Sequence, residues 1–227
     1  MIHLSLWSEW RAANVALLAI VESWRAGLVG SRLGVQAGEA AWASPHTLLA
    51  QCKGFWVRRL EAWVRDELAA FGWRGRHLEA WATWQGPGGS CGWHDHHQAE
   101  VSAVYYVAAA EGAGRLRVAL AGVEDAECGV PLPPVPGLLA VFSARTTHCV
   151  EASAAAPGGT ARISIVFNGF APGSRGTVRG CACCEAMTQA EEAETDSTPR
   201  ARSGIAALVV DTGKNGTREK VSPEGGR

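Results

Sequence analysis

The sequence predicts an α+β protein, with N-terminal helices on one side of an antiparallel sheet or double-sheet jelly roll. Two observations predict it. Apolar residues recur at helical spacing in two stretches before Gly72, parted by a Gly- and Ala-rich loop, and after Gly75 the period changes to a series of short strand-like segments parted by Gly, Pro and polar breaks. Helices first and strands afterwards is the order of an α+β domain, not of alternating βαβ units.

Leu6, Trp10, Ala13, Leu17, Val21, Trp24 and Leu28 mark a first helix over 6–28, with Gly27 and Gly30 to stop it. The second helix is "SPHTLLAQCKGFWVRRLEAWVRDELAAFG", with Ser44 as cap, Pro45 in its first turn and Gly72 at its end. The strands follow: "HLEAWATWQG", "HHQAEVSAVYYVA", "GRLRVAL", "GLLAVFSA", "HCVEAS" and "ARISIVFNGF". Residues 121–136 read as a Pro- and acid-bearing loop. From Ala186 the composition turns to Glu, Thr, Gly and Lys, which cannot bury enough apolar surface to order itself; "IAALVV" is the one candidate edge strand there. The chain thus divides into a helical support region (1–75), a strand core (76–172) and a Cys-bearing, mostly disordered tail (173–227).

The 21 basic and 22 acidic residues nearly cancel, so charge offers no case for a nucleic-acid or anionic-membrane partner. The N-terminus has no basic leader segment or small-residue cleavage site, and charges interrupt it, which argues against a signal peptide or membrane span. Seven Cys, four of them scattered, read as reduced thiols of an intracellular, cytoplasmic protein; an organelle address stays open. Of the clustered Cys181, Cys183 and Cys184, the pair Cys181 and Cys184 forms half of a structural zinc pattern without the other half.

Chemistry concentrates in "GWHDHHQAEVSAVYYV". In a strand, positions i and i+2 share a face, which turns His94 and His96 one way and Asp95 and His97 the other. Two imidazoles together on a buried face are costly unless a divalent metal binds them. His148, opening a strand after a turn, is the candidate third ligand. Arg162 and Ser164 share a face of an otherwise apolar strand. A buried guanidinium is expensive unless it meets an anion, and here it can grip a carboxylate with help from the hydroxyl; a salt bridge to Glu151 or Asp125 is the alternative. His3, His46 and His77 read as surface or satisfied core residues.

Taken together and in this order, these segments resemble the iron(II)- and 2-oxoglutarate-dependent oxygenases. The similarity is to a subgroup with a His-x-His pair, then Ser-Gly-Val-Tyr-Tyr (here His94, His96, Ser102, Ala103, Val104, Tyr105, Tyr106). "PVPGLLAVFSARTTHCVEA", "ARISIVFN" and "WATWQGPGGSCGWH" extend it over residues 78–170. The resemblance implies a double-stranded β-helix (jelly-roll, cupin-like) core and iron(II) held by His94, His96 and His148. It also implies 2-oxoglutarate anchored by Arg162, Ser164 and Tyr106, with O2 as co-substrate. The implied reaction hydroxylates a protein side chain or small molecule and releases succinate and CO2. The subgroup's superfamily usually has an acid two residues after the first His; this chain has His96, with Asp95 or Glu100 as alternative acid ligands. A cupin-like metal protein without 2-oxoglutarate chemistry and a catalytically degenerate binding module are the competing readings. Trp84 and Trp93 are candidate walls of the entrance, and residues 121–136 and the N-terminal helices are expected to shape substrate binding.

Overall fold

The structure is a computed structural model, and it describes residues 1–27, 40–119, 129–154 and 161–174. Residues Met1–Asp196 group as one compact unit, while Ser197–Arg227 lies wholly outside the described residues. Cys128, Asp125, Cys181, Cys183, Cys184, the first half of the 121–136 loop and the expected tail from residue 175, with its "IAALVV" strand, also lie outside them.

Two antiparallel sheets form the core. The larger has the order β1-β8-β5-β10-β3-β2 and the smaller β4-β9-β6-β7. In chain order the strands are β1 (Ile2–Leu6), β2 (Ala41–Ala43), β3 (Leu78–Gln85), β4 (Cys91–His94), β5 (Val101–Ala108), β6 (Leu116–Val118), β7 (Val130–Leu132), β8 (Leu138–Ser143), β9 (His148–Val150) and β10 (Arg162–Gly169). The helices are α1 (Trp10–Ala26), α2 (Leu48–Gln51) and α3 (Phe55–Phe71).

Strand alternation divides the long central strands between two cores. Ala103, Tyr105 and Val107 of β5 and Ile163, Ile165 and Phe167 of β10 turn to one face. There they bury against Leu17 and Val21 of α1 and Leu60, Val64 and Leu68 of α3. Val104 and Tyr106 of β5 turn to the other face and pack with Leu116 and Val118 of β6 and Phe142 of β8. Each such fully buried apolar side chain contributes roughly 1.5–3 kcal/mol relative to exposure.

The expected elements shift in four places. Ile2–Leu6 is not helical but pairs with β8, so α1 begins at Trp10. The second helix is two: α2 ends at Gln51, and the extended backbone of Gly54 (ψ 155°) precedes α3. Ser44 caps no helix, because its hydroxyl accepts the Ala82 backbone N–H (2.8 Å) and ties β2 to β3. Finally, the 121–136 stretch contains β7, whose Pro131 is tolerated because β7 is an edge strand. The stop at Gly72 holds: its φ of 116° gives the left-handed cap that glycine adopts without strain.

The register of β10 against β5 shifts between Ile163 and Ser164, leaving Val107 as an extra residue between the pairs Ser164–Tyr106 and Ile163–Ala108. The Asn14 amide of α1 donates to the carbonyls of Val107 (2.7 Å) and Tyr106 (3.3 Å) there, and its oxygen accepts from the Tyr105 hydroxyl (2.6 Å). Burial pushes the Tyr105 phenol far above its ordinary range, against the opposing effect of the Asn14 bond, so it stays a donor. Tyr105→Phe strands a buried amide oxygen and is expected to cost about 1–3 kcal/mol, read as a lower urea midpoint at unchanged m-value.

Candidate metal centre

His94 ends β4 and His148 opens β9, and the two are direct cross-strand partners. Opposed residues share a face with their Cβ atoms about 4.5–5.5 Å apart, and the two ring centres lie 4.3 Å apart. His96 does not continue β4, so strand alternation is not what brings it to the same side. It sits in the turn from the smaller to the larger sheet, its backbone N–H donating to the Ala144 carbonyl (2.8 Å). Its ring centre is 5.2 Å from that of His94 and 5.1 Å from that of His148. One ligand atom from each of the three lies within 4.8 Å of the other two.

Neither acid alternative joins this cluster. Asp95 accepts the His97 backbone N–H (3.2 Å) and lies beside its ring (3.1 Å), and Glu100 is exposed. The other histidines lie elsewhere: His3 pairs with Glu67 (2.8 Å), His77 with Glu79 (3.2 Å), and His46 stacks on Trp81 (4.1 Å) beside Glu79.

The three rings fit a divalent cation. Nδ1 of His94 faces the Gly92 carbonyl (2.7 Å) and Nδ1 of His148 the Thr146 carbonyl (2.9 Å). A carbonyl only accepts, so both rings carry their proton on Nδ1 and have their lone pair on Nε2. His96 is 1% exposed, and its Nε2 is buried with no partner among the described residues. A buried, unsatisfied ring nitrogen costs roughly 1–3 kcal/mol unless something binds it. Its Nδ1 lies 2.9 Å from Asn168 Oδ1 and 3.1 Å from Ser102 Oγ. The set is all imidazole, which suits iron, zinc, copper or nickel.

These histidines line one pocket together with Arg162, Ser164, Thr83, Gln85 and Trp81. The sheet floor under it is layered by register. Glu79, Asn168 and Ser102 are cross-strand neighbours; next come Trp81, Val166 and Val104; then Thr83, Ser164 and Tyr106; and Gln85 beside Arg162 ends the series. Two polar layers thus flank an apolar one.

Arg162 is 2% exposed and its terminal nitrogen donates to Gln85 Oε1, while Nε has no partner among the described residues. It makes no salt bridge to Glu151, which accepts instead from Arg115 and Arg117. The guanidinium carbon lies 5.1 Å from the centre of the Tyr106 ring. Burial raises the Tyr106 phenol, opposed by the charge and hydrogen bonding of the neighbouring Arg162. The Ser164 and Thr83 hydroxyls bond each other (2.8 Å). Trp84 and Trp93 do not line the pocket: Trp84 lies under Arg25 (3.8 Å) and Trp93 is 36% exposed. Trp81, Thr83, Gln85 and Asn168 carried no expectation, though period-two spacing from Arg162 reaches Asn168, and spacing along β3 joins the others.

No family model matches the sequence, nor does any curated protein. Solved structures do. A Pseudomonas putida prolyl-4-hydroxylase aligns at TM-score 0.53 and 19% identity, over 74% of this chain and 90% of that one. A prolyl hydroxylase from Trichoplax adhaerens, solved with a hypoxia inducible factor peptide fragment, aligns at 0.56 and 14%, over 74% and 83%. The non-heme α-ketoglutarate-dependent carbocyclase SnoK from nogalamycin biosynthesis aligns at 0.55 and 12%, over 74% and 79%. At these identities the likeness is one of fold: the chain has the α+β, double-stranded β-helix architecture shared by these hydroxylases and α-ketoglutarate-dependent enzymes.

Proposed function

We propose that the protein is an iron(II)- and 2-oxoglutarate-dependent oxygenase that hydroxylates a protein side chain or a small molecule. The observation that carries this reading is one pocket holding both an all-histidine cluster and a buried arginine with unmet hydrogen-bonding capacity. A metal-only site has no use for Arg162, whereas a dicarboxylate 2-oxo acid needs a metal for its keto-acid end and a cation for its distal end. The fold shared with prolyl hydroxylases and α-ketoglutarate-dependent enzymes supports the same reading.

In this reading His94, His96 and His148 hold the iron. When bound, iron and 2-oxoglutarate supply oxidative decarboxylation, to succinate and CO2, coupled to oxygen transfer onto the substrate. Arg162 receives the distal carboxylate in charge-assisted hydrogen bonds. Tyr106, kept protonated by burial, has a hydroxyl hydrogen to offer it, and the Ser164–Thr83 hydroxyl pair lies in the adjoining layer. Trp81, Val104 and Val166 form a dry wall between anchor and metal, which strengthens the charge interactions inside. Iron(II) is best kept in a reducing setting, in keeping with an intracellular, cytoplasmic site of action. No described helix is long and apolar enough to cross a membrane.

The test is anaerobic titration of the purified chain with iron(II) and then 2-oxoglutarate. A visible charge-transfer band, followed by succinate formation on admission of O2, is expected; absence of both defeats the reading. The all-imidazole donor set favours one alternative, a cupin-like protein using zinc or another metal without a 2-oxo acid. It predicts tight zinc binding that 2-oxoglutarate leaves unchanged.

A further inference from the structure

His96 stands where the resembling superfamily usually places an acid, and it differs from its two partners in a second way. The Nδ1 atoms of His94 and His148 face backbone carbonyls, which leave one tautomer only. That of His96 faces a side-chain amide and a hydroxyl, groups that can donate or accept. The amide decides. With the Asn168 oxygen toward the ring, His96 carries its proton on Nδ1 and its buried Nε2 is a lone pair. With the Asn168 nitrogen toward the ring, the proton moves to Nε2 and the ring cannot ligate a cation.

Two observations select the first arrangement. The Ser102 hydroxyl donates to Asn168 Oδ1 (2.7 Å), and the same oxygen lies 2.9 Å from His96 Nδ1, so it is the oxygen end of the amide that faces the ring. The Asn168 nitrogen is buried with no partner among the described residues, on the other side of the amide. Asn168 is also the direct cross-strand partner of Glu79, whose carboxylate shares its face of the sheet. A negative charge there favours the N–H end of the amide on its own side and the oxygen on the side of His96. Asn168 and Ser102 are both fully buried, so water does not compete for these bonds.

We propose that Asn168 is a positioning residue: held by Ser102 and biased by Glu79, it keeps the His96 proton on Nδ1 and presents Nε2 to the metal. The inference rests on the metal-site reading above for its purpose, but its central claim concerns the metal-free protein. It also accounts for how an imidazole serves at a position more often given an acid. A carboxylate needs no tautomer chosen for it; an imidazole buried among groups of either polarity does.

Long-range 1H–15N correlation spectra of metal-free protein labelled in histidine read the tautomer directly, with His96 assigned by comparison with His96→Gln. The Nδ1–H pattern is expected; an Nε2–H pattern for His96 overturns the proposal. Zinc(II) alone, measured by competition with a chromogenic chelator, then reads the consequence. Asn168→Leu is expected to weaken zinc by about 10–100-fold, as loss of a ligand's supporting hydrogen bond does. Asn168→Asp, which can only accept at this position, is expected to keep the Nδ1–H pattern and stay within about threefold of wild type in affinity. Wild-type tautomer and affinity in Asn168→Leu also overturn the proposal. If that variant does not fold, the wild-type tautomer and Asn168→Asp decide. A wild type with the Nδ1–H pattern that binds neither zinc nor iron(II) defeats the metal-site reading and leaves the Asn168 assignment standing, so the two fail separately.

Discussion

His148→Ala is expected to abolish turnover and weaken iron(II) binding by more than about 100-fold, since loss of a supporting contact alone costs 10–100-fold. The ring offers one of three candidate ligand atoms gathered within 4.8 Å, and no carboxylate among the described residues joins that cluster to replace it. Far-UV circular dichroism of the metal-free variant should match wild type, because the change removes one of three crowded imidazoles and lies outside the helices and the long strands. Asp95→Ala is the paired control. Its carboxylate is engaged with His97, so iron affinity should stay within about twofold, well inside the range of changes remote from a site. Retained iron in His148→Ala, or lost iron in Asp95→Ala, would mean that the ligands are not the three histidines.

Arg162→Met is expected to raise the KM for 2-oxoglutarate by on the order of 100-fold while leaving iron(II) affinity in the absence of the 2-oxo acid near wild type. One or two charge-assisted hydrogen bonds, each about 1.5–3 kcal/mol, account for that size. The metal-free fold is expected to respond differently. Arg162 is a buried cation with no carboxylate partner among the described residues, an arrangement kept at a cost to stability. Replacing it alone strands the Gln85 oxygen, so stability should change little. Replacing both, as Arg162→Met with Gln85→Leu, should raise Tm by a few degrees. Unchanged 2-oxoglutarate kinetics in Arg162→Met would remove the anchor from the proposal, whatever the metal data show.

The antiparallel strand core and the helices on one side were readable because the long strands β3, β5, β8 and β10 are apolar runs rich in Val, Ile and aromatic residues that sit between Gly or polar breaks. β1 was not readable. Ile2–Leu6 is short and half exposed, and what makes it a strand is pairing with β8, more than 130 residues away, which no local pattern records. Pro131 hid β7 because the sequence does not say which strands lie at an edge. In the site, the pairing of His94 with His148 followed from the order of motifs, but the placing of His96 was anticipated for the wrong reason. A turn tied to Ala144 places it, not strand alternation. Gln85 and Thr83 went unnoticed because uncharged polar residues in strands have many ordinary uses. Asn168 was visible as part of "ARISIVFN", yet its partners His96 and Ser102 are 72 and 66 residues distant.

The strands that carry the ligands differ in kind from those that carry the anchor. β9 and β6 are three residues long and β4 is four, whereas β3, β5 and β10 are eight each. An ion held, as proposed, by His94 and His148 on the small sheet and by His96 on the way to the large one would therefore be a rivet between a weak plate and a strong one. Such a plate opens locally long before the whole protein unfolds, so loading the metal and seating the small sheet are one equilibrium. Chelation would then loosen the wall of the pocket before it disturbed the floor.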